Sequence, residues 1–122
     1  MHSNESAENY LETILMLSKK LPVVRSVDIA NELGYKKSSV SIAMKNLREK
    51  NHIVVSDAGF ITLTKSGQEI AEMIYERHEV LTACLVRIGV SEQVAQEDAC
   101  RIEHIISAET FDAIKACYSK MK

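Results

Sequence analysis

Apolar residues recur at helical spacing from the start of the chain. Tyr10, Leu11, Ile14, Leu15 and Leu17 form one stripe, and Pro22 closes the helix they predict. Ser26 is placed to cap a short second helix carrying Ile29, Ala30 and Leu33, which Gly34 stops. A third helix runs from about Lys37 to Lys50, with Val40, Met44 and Leu47 on its inner side. The period then changes: Ile53-Val54-Val55 and Phe60-Ile61-Thr62-Leu63 are rich in β-formers, and Ser56-Asp57-Ala58-Gly59 between them has the composition of a hairpin turn. Thr64 can cap a long fourth helix whose apolar face, Ile70, Ile74, Leu81, Leu85 and Ile88, continues to Gly89. Ser91 begins a fifth helix with Val94, Ala95, Ile102, Ile105 and Ile106, and Ser107 a sixth that buries Phe111, Ile114 and Tyr118.

Helix, helix, turn, helix, hairpin is the order of a winged helix-turn-helix. The pattern therefore predicts a mainly α protein: an N-terminal winged helix-turn-helix of three helices plus a β-hairpin wing over 1–64, then an all-α dimerisation domain over 65–122. The later helices are amphipathic surfaces in a small chain, so some of them are expected to pack against a second copy. With 122 residues and 46% hydrophobic content the chain can bury one core, or two closely packed subdomains. No apolar run approaches the length needed to span a bilayer, and Met1-His2-Ser3-Asn4-Glu5 lacks the basic and apolar regions of a signal peptide, which predicts a cytoplasmic location. Three cysteines, at 84, 100 and 117, fit reduced thiols in that compartment, and no CxxC pair supports a zinc ribbon. Cys84 and Cys117 read as small core residues.

The formal net charge of -2 conceals two opposite halves. From Lys19 to Lys50 eight basic residues face three acidic ones, a net of +5, whereas from Ser66 to His104 three basic residues face eight acidic ones, a net of -5. The first half attracts polyanions. With Val40, Met44 and Leu47 turned inward, Lys37, Ser38, Ser39, Ser41, Ile42 and Lys45 lie on or beside the outer face of the third helix, concentrated at its start, where a recognition helix enters the major groove. Lys36, Lys37 and Lys45 suit phosphates, the serines suit phosphate oxygens and base edges, and Ile42 suits a thymine methyl. Ser38 and Ser39 can equally serve as helix caps.

The second half carries the most specific chemistry. Cys100, Glu103 and His104 are spaced i, i+3, i+4, which places a thiol, a carboxylate and an imidazole on one face of a helix. Mixed sulfur, oxygen and nitrogen donors suit a borderline divalent transition metal better than calcium or magnesium. A second imidazole, His78, and an early carboxylate, Glu12, add to the set. In the plainer alternative Cys100 is a core residue, and Glu103 and His104 are ordinary surface residues.

The chain resembles the diphtheria-toxin-repressor and manganese-transport-regulator family of metal-dependent transcriptional repressors. The resemblance runs from Glu8-Asn9-Tyr10-Leu11-Glu12 through Ser38-Ser39-Val40-Ser41, Leu63-Thr64-Lys65-Ser66-Gly67 and Arg77-His78-Glu79 to Asp98-Ala99-Cys100-Arg101-Ile102-Glu103-His104-Ile105-Ile106-Ser107. It implies an N-terminal winged helix that binds double-stranded operator DNA, a helical homodimerisation domain, metal bound by the first helix and the later ones, and repression of metal-uptake genes when metal is plentiful. It further implies that Cys100, Glu103 and His104 correspond to ligands of the iron-responsive branch, and His78 and Glu12 to ligands of the manganese-responsive branch. Asn9 stands where those branches place a methionine or an aspartate ligand, so an amide oxygen, or nothing, replaces that donor here. Thr82 and Gln96 occupy two positions that complete an ancillary site in the iron branch, and neither is a good ligand, so one principal site is expected. The chain ends at Lys122, without the SH3-like third domain of longer iron-responsive members; a short natural form and a shortened one both remain open.

The expected function is thus a metal-dependent, DNA-binding repressor and not an enzyme, with Fe(II) as first choice because Cys100 adds a soft thiolate, and Mn(II) as the alternative. A rival reading is a winged-helix regulator whose DNA binding ignores metal. A metallohydrolase using Glu103 as base is disfavoured, because no HExxH motif occurs and the basic helix would be unexplained.

Overall fold

The computed structural model describes residues 5–121, so residues 1–4, read above for a leader, and residue 122 lie outside the described residues. Its elements run α1 (Glu5–Ser18), α2 (Ser26–Leu33), α3 (Lys37–Glu49), β1 (Ile53–Val55), β2 (Ile61–Leu63), α4 (Lys65–Arg87), α5 (Glu92–Ile102) and α6 (Ala108–Met121). They form two compact units, the first ending at Glu72 and the second beginning at Met73, so that α4 gives its first two turns to one unit and the remainder to the other. No helix among the described residues is long and apolar enough to cross a membrane.

In the first unit the α1 stripe is buried throughout, Tyr10, Leu11, Ile14, Leu15 and Leu17 all facing inward, and α1 packs on α2, α3 and β2. Ile29 and Ala30 of α2, Val40, Met44 and Leu47 of α3, and Ile53 and Ile61 of the hairpin complete this core. The start of α2 differs from expectation. Ser26 is its first helical residue and Arg25 is the N-cap, held by its backbone N–H donating to Asp28 Oδ2 at 2.9 Å. An acidic side chain at the third helical position takes over the role expected of the serine. Gly34 ends α2 at φ +70°, a conformation that strains any residue with a Cβ.

The hairpin pairs Ile53 with Leu63 and Val55 with Ile61. Phe60, expected in the second strand, belongs to the turn instead: its N–H goes to Ser56 Oγ at 3.1 Å. The exit from α3 is fastened to the entry of α4. Asn51 adopts φ +63°, and its carbonyl accepts from the Thr64 hydroxyl at 2.7 Å and the Ser66 hydroxyl at 3.2 Å. Thr64 caps α4 as its sequence position suggests, Gly67 N–H donating to Thr64 Oγ1 at 3.2 Å. Gly67 itself is required by a close approach, since a Cβ there would lie 2.0 Å from the His52 carbonyl oxygen.

In the second unit Ile74 and Leu81 of α4, Ala95 and Ala99 of α5, and Phe111 of α6 are buried, but Ile88 at the end of the α4 stripe is 71% exposed. Ser91 caps α5, accepting from Val94 N–H at 3.4 Å, and Ser107 caps α6, accepting from Thr110 N–H at 3.1 Å. Other sequence expectations fail here as well, and Val94 of the α5 stripe is 45% exposed. The fifth helix stops at Ile102 and does not continue to Ile106, which leaves Ile105 58% exposed. Cys117 is exposed rather than core, because it sits six residues beyond Phe111, about 240° around the helix from the buried face. Cys84 is half-buried, and burial, then the neighbouring Cys117, push its thiol pKa up.

Candidate metal centre and nucleic-acid face

The end of α5 builds the centre within the second unit. Glu103 is the C-cap of α5, its N–H still bonded to Ala99 O at 2.9 Å, and His104 follows in the turn. The i, i+3, i+4 spacing therefore does not lie on one continuous helix: Cys100 is helical, while Glu103 and His104 belong to its unwinding end.

That local ending turns Glu103 inward. The residue has no exposed surface, and its two carboxylate oxygens meet two imidazoles. His78 Nδ1, from α4, lies 2.9 Å from Oε1, and His104 Nε2 lies 3.3 Å from Oε2. The imidazole of His104 is only 3% exposed. The second contact is within ion-pair range, but Glu103 Oε2 accepts no hydrogen bond among the described residues. A buried carboxylate with an unused oxygen is an expensive arrangement unless positive charge reaches it. His78 and His104 thus lie against opposite oxygens of one carboxylate, and nitrogen and oxygen donors of this kind suit a first-row divalent cation.

Arg77 holds this turn in place. Its Nη1 donates to the carbonyls of Glu103 and Ile106, each at 3.1 Å, and its guanidinium sits over the Phe111 ring at 5.4 Å. These carbonyls belong to the chain just past the helix, where intrahelical donors run out. Sequence reasoning missed Arg77. The signal for it in the sequence is a cation directly before His78 in the acidic middle of α4, among Glu69, Glu72, Glu76 and Glu79.

The other candidates are distributed as follows. Cys100 is exposed on α5, three residues before Glu103, which reverses the plainer alternative: the thiol is outside and the carboxylate and imidazole are inside. Glu12 is buried on α1 in the first unit. Asn9, half-buried one turn earlier, has its backbone carbonyl occupied by the Thr13 hydroxyl at 2.8 Å. Thr82 and Gln96 line a concavity of about 480 Å³ in the second unit together with His78 and Glu92, and Gln96 Nε2 donates to Glu92 Oε2 at 3.4 Å.

On the first unit, Lys36, Lys37, Ser38, Ser39, Ser41, Ile42 and Lys45 are all exposed, Ile42 at 64%. The N-cap of α3 is Lys36, without a side-chain cap, so Ser38 and Ser39 are not the caps of this helix, and both are exposed. An isoleucine left that open on an ordered helix, among lysines and serines, has the chemistry to meet an apolar group set in a polyanion.

Comparison with known proteins agrees with both halves. The N-terminal DNA binding domain of the iron dependent repressors matches residues 2–58, and their metal binding and dimerisation domain matches residues 64–122. The transcriptional regulator MntR of Escherichia coli O6:H1 is 32% identical over 114 residues, covering 93% of this chain and 74% of that protein. An uncharacterised HTH-type transcriptional regulator of Methanocaldococcus jannaschii is 31% identical over 121 residues, covering 98% of this chain and 97% of the other. Among solved structures, a manganese-dependent transcriptional repressor in complex with manganese superimposes with a TM-score of 0.84 at 27% identity, over 93% of this chain and 52% of that one. The chain thus spans about half the length of that solved relative. Taken with the buried Glu103 between two imidazoles and the exposed face of α3, these matches establish that the chain belongs to the iron-dependent repressor family, metal-dependent DNA-binding transcriptional regulators and not enzymes.

Proposed function

We propose that this protein is a cytoplasmic, homodimeric repressor that binds operator DNA of metal-uptake genes when a divalent transition metal occupies the site built on Glu103. The observation that carries the reading is the buried Glu103 carboxylate, flanked by His78 and His104 and left with an oxygen that accepts no hydrogen bond. His78, Cys100, Glu103 and His104 are the proposed donors of the second unit. Glu12, with the Asn9 amide as a weaker candidate, is the proposed donor of the first unit, on the strength of the family resemblance. In this division of labour residues 1–64 bind DNA, and residues 65–122 dimerise and supply the other metal donors.

When bound, the metal would supply positive charge to the Glu103 carboxylate, which otherwise bears the cost of burial. The protein's own groups do the rest. His78 and His104 present nitrogen donors, Arg77 fixes the backbone from which Glu103 projects, and Lys36, Lys37, Ser38, Ser39, Ser41, Ile42 and Lys45 meet the duplex. Occupancy of the site would favour the DNA-competent state, in which the two recognition helices of a dimer match successive major grooves roughly 34 Å apart. Fe(II) is the proposed effector, because Cys100, three residues before Glu103, would add a soft thiolate to the nitrogen and oxygen donors. Mn(II) is the second reading, favoured by the nitrogen and oxygen character of His78, Glu103 and His104 and by the manganese-dependent relative.

The test is operator binding under anaerobic conditions with Fe(II), with Mn(II) and with a chelator. Metal should tighten specific binding at least ~10-fold, a coupling of about 1.4 kcal/mol, and DNA should tighten metal binding equally. Equal operator affinity in metal and in chelator would leave the rival reading, a winged-helix regulator indifferent to metal.

A further inference from the structure

One concavity in the first unit extends beyond the residues so far assigned to DNA. Its volume is about 170 Å³, and Ser26, Ser41, Met44, Lys45, Arg48 and Val55 line it. Ser41, Met44, Lys45 and Arg48 fall at i, i+3, i+4 and i+7 of α3 and so share one side of that helix. Ser26 opens α2, and Val55 ends the first strand of the hairpin. The concavity is therefore a corner where the recognition helix, the start of α2 and the wing meet.

Its chemistry has one sign. Two hydroxyls, an ammonium and a guanidinium form the polar wall, no carboxylate is among the lining residues, and buried Met44 supplies part of the apolar floor. Lys45 and Arg48 are exposed, and neither pairs with a carboxylate among the described residues. A guanidinium with its fork open, beside an ammonium and two hydroxyl donors, matches a tetrahedral oxyanion.

Distance decides which oxyanion. Arg48 lies nine residues beyond Ser39, about 13 Å along the helix axis at 1.5 Å per residue. That is close to the roughly 12 Å width of the major groove. With the start of α3 at the base edges, the Arg48 corner reaches the sugar-phosphate strand that borders the groove.

We propose that this corner is a phosphodiester seat, in which Arg48 grips one backbone phosphate of the bound duplex, assisted by Lys45 and by the hydroxyls of Ser26 and Ser41. The proposal rests on the reading of α3 as the recognition helix. It adds Arg48 and Ser26 to the DNA contacts and gives them a different role, because the seat sets how far the helix slides into the groove while the residues at its start read the bases.

The test uses the full chain, a short duplex of generic sequence, and salt titrations in the presence and absence of metal. Arg48→Ala should lower affinity about 10-fold and flatten the dependence of log affinity on log salt by about one unit, with and without metal, while Arg48→Lys restores the slope but not all of the affinity. Inorganic phosphate is the second probe and should compete no better than its ionic strength predicts. An unchanged slope in Arg48→Ala overturns the seat, as does a lost slope that Arg48→Lys leaves unrestored, since that pattern marks a structural role. Phosphate binding that needs Arg48 while the DNA slope ignores it also overturns the proposal, and identifies a free-anion site. Failure of the parent reading looks different. If metal regulation is wrong, chelator changes nothing but the Arg48 slope loss persists; if α3 is not the recognition helix, Lys37→Ala leaves the slope unchanged as well.

Discussion

Arg77 donates from a single guanidinium nitrogen to the backbone carbonyls of Glu103 and Ile106, each at 3.1 Å, and so straps down the turn that aims the Glu103 carboxylate between two imidazoles. Hydrogen bonds from a charged donor to part-buried carbonyls contribute more than neutral ones, so Arg77→Met should cost about 2–3 kcal/mol of stability. It should also weaken metal binding by about one order of magnitude, because the carboxylate loses its fixed backbone. Denaturant unfolding of the metal-free protein and an anaerobic metal titration check the two effects. Wild-type values in both would show that the strap carries no weight.

Glu103→Gln separates the charge of the carboxylate from its shape. A buried carboxylate with an oxygen that accepts no hydrogen bond is held at a cost, so without metal the variant should match or exceed wild-type stability, within about 1 kcal/mol. The rise in unfolding temperature on adding Mn(II) should disappear. Thermal unfolding with and without metal reads both, and a metal-induced rise equal to that of the wild type would remove Glu103 from the site.

Cys100→Glu exchanges a soft donor for a hard one. The variant should respond more strongly to Mn(II) relative to Fe(II) than the wild type does. Because the thiol is exposed, peroxide should silence the wild-type protein by converting the thiolate to a sulfenic or higher acid, and the variant should resist. Operator binding measured across both metals and after peroxide treatment decides it. Identical selectivity and identical sensitivity would make Cys100 a bystander.

Gly67 and Gly34 should respond differently to the same change. A Cβ at Gly67 would lie 2.0 Å from the His52 carbonyl oxygen, a backbone atom that cannot swing aside, so Gly67→Ala should destabilise by about 3 kcal/mol, the upper end for overpacking. Nothing lies within 4 Å of a Cβ at Gly34, where only the left-handed backbone is strained, so Gly34→Ala should cost about 1 kcal/mol. Paired denaturant curves test the ordering. The reverse order would place the close contact elsewhere.

Element order and the inward faces of α1 and α3 were readable from the chain alone. Tyr10, Leu11, Ile14, Leu15, Leu17, Val40, Met44 and Leu47 were legible as core because burial follows helical period, and period is a local property. Thr64, Ser91 and Ser107 were legible as caps for the same reason: a cap and its first turn lie within a few residues. The outward face of α3 followed by subtraction, since the positions left over from the core stripe are the exposed ones. The donor types of the proposed metal site were also on view in the sequence.

Tertiary contacts settle the rest, wherever distant segments compete for the same groups. The spacing of Cys100, Glu103 and His104 suggests one helical face, but α5 stops at Ile102, and Arg77, twenty-six residues away from Glu103, takes the carbonyls at its end. That exchange sends Glu103 to zero exposure and leaves Cys100 outside, the opposite of what the burial habits of the two residue types suggest. At the start of α2 the Asp28 carboxylate reaches the Arg25 N–H, and Ser26 does not serve as the cap. The corner of Ser26, Lys45 and Arg48 has no sequence signature, since it exists only because α2, α3 and the hairpin fold against one core. Periodicity tells which side of an element faces in; which of two distant groups satisfies a given carbonyl, carboxylate or cation is settled only when the segments meet.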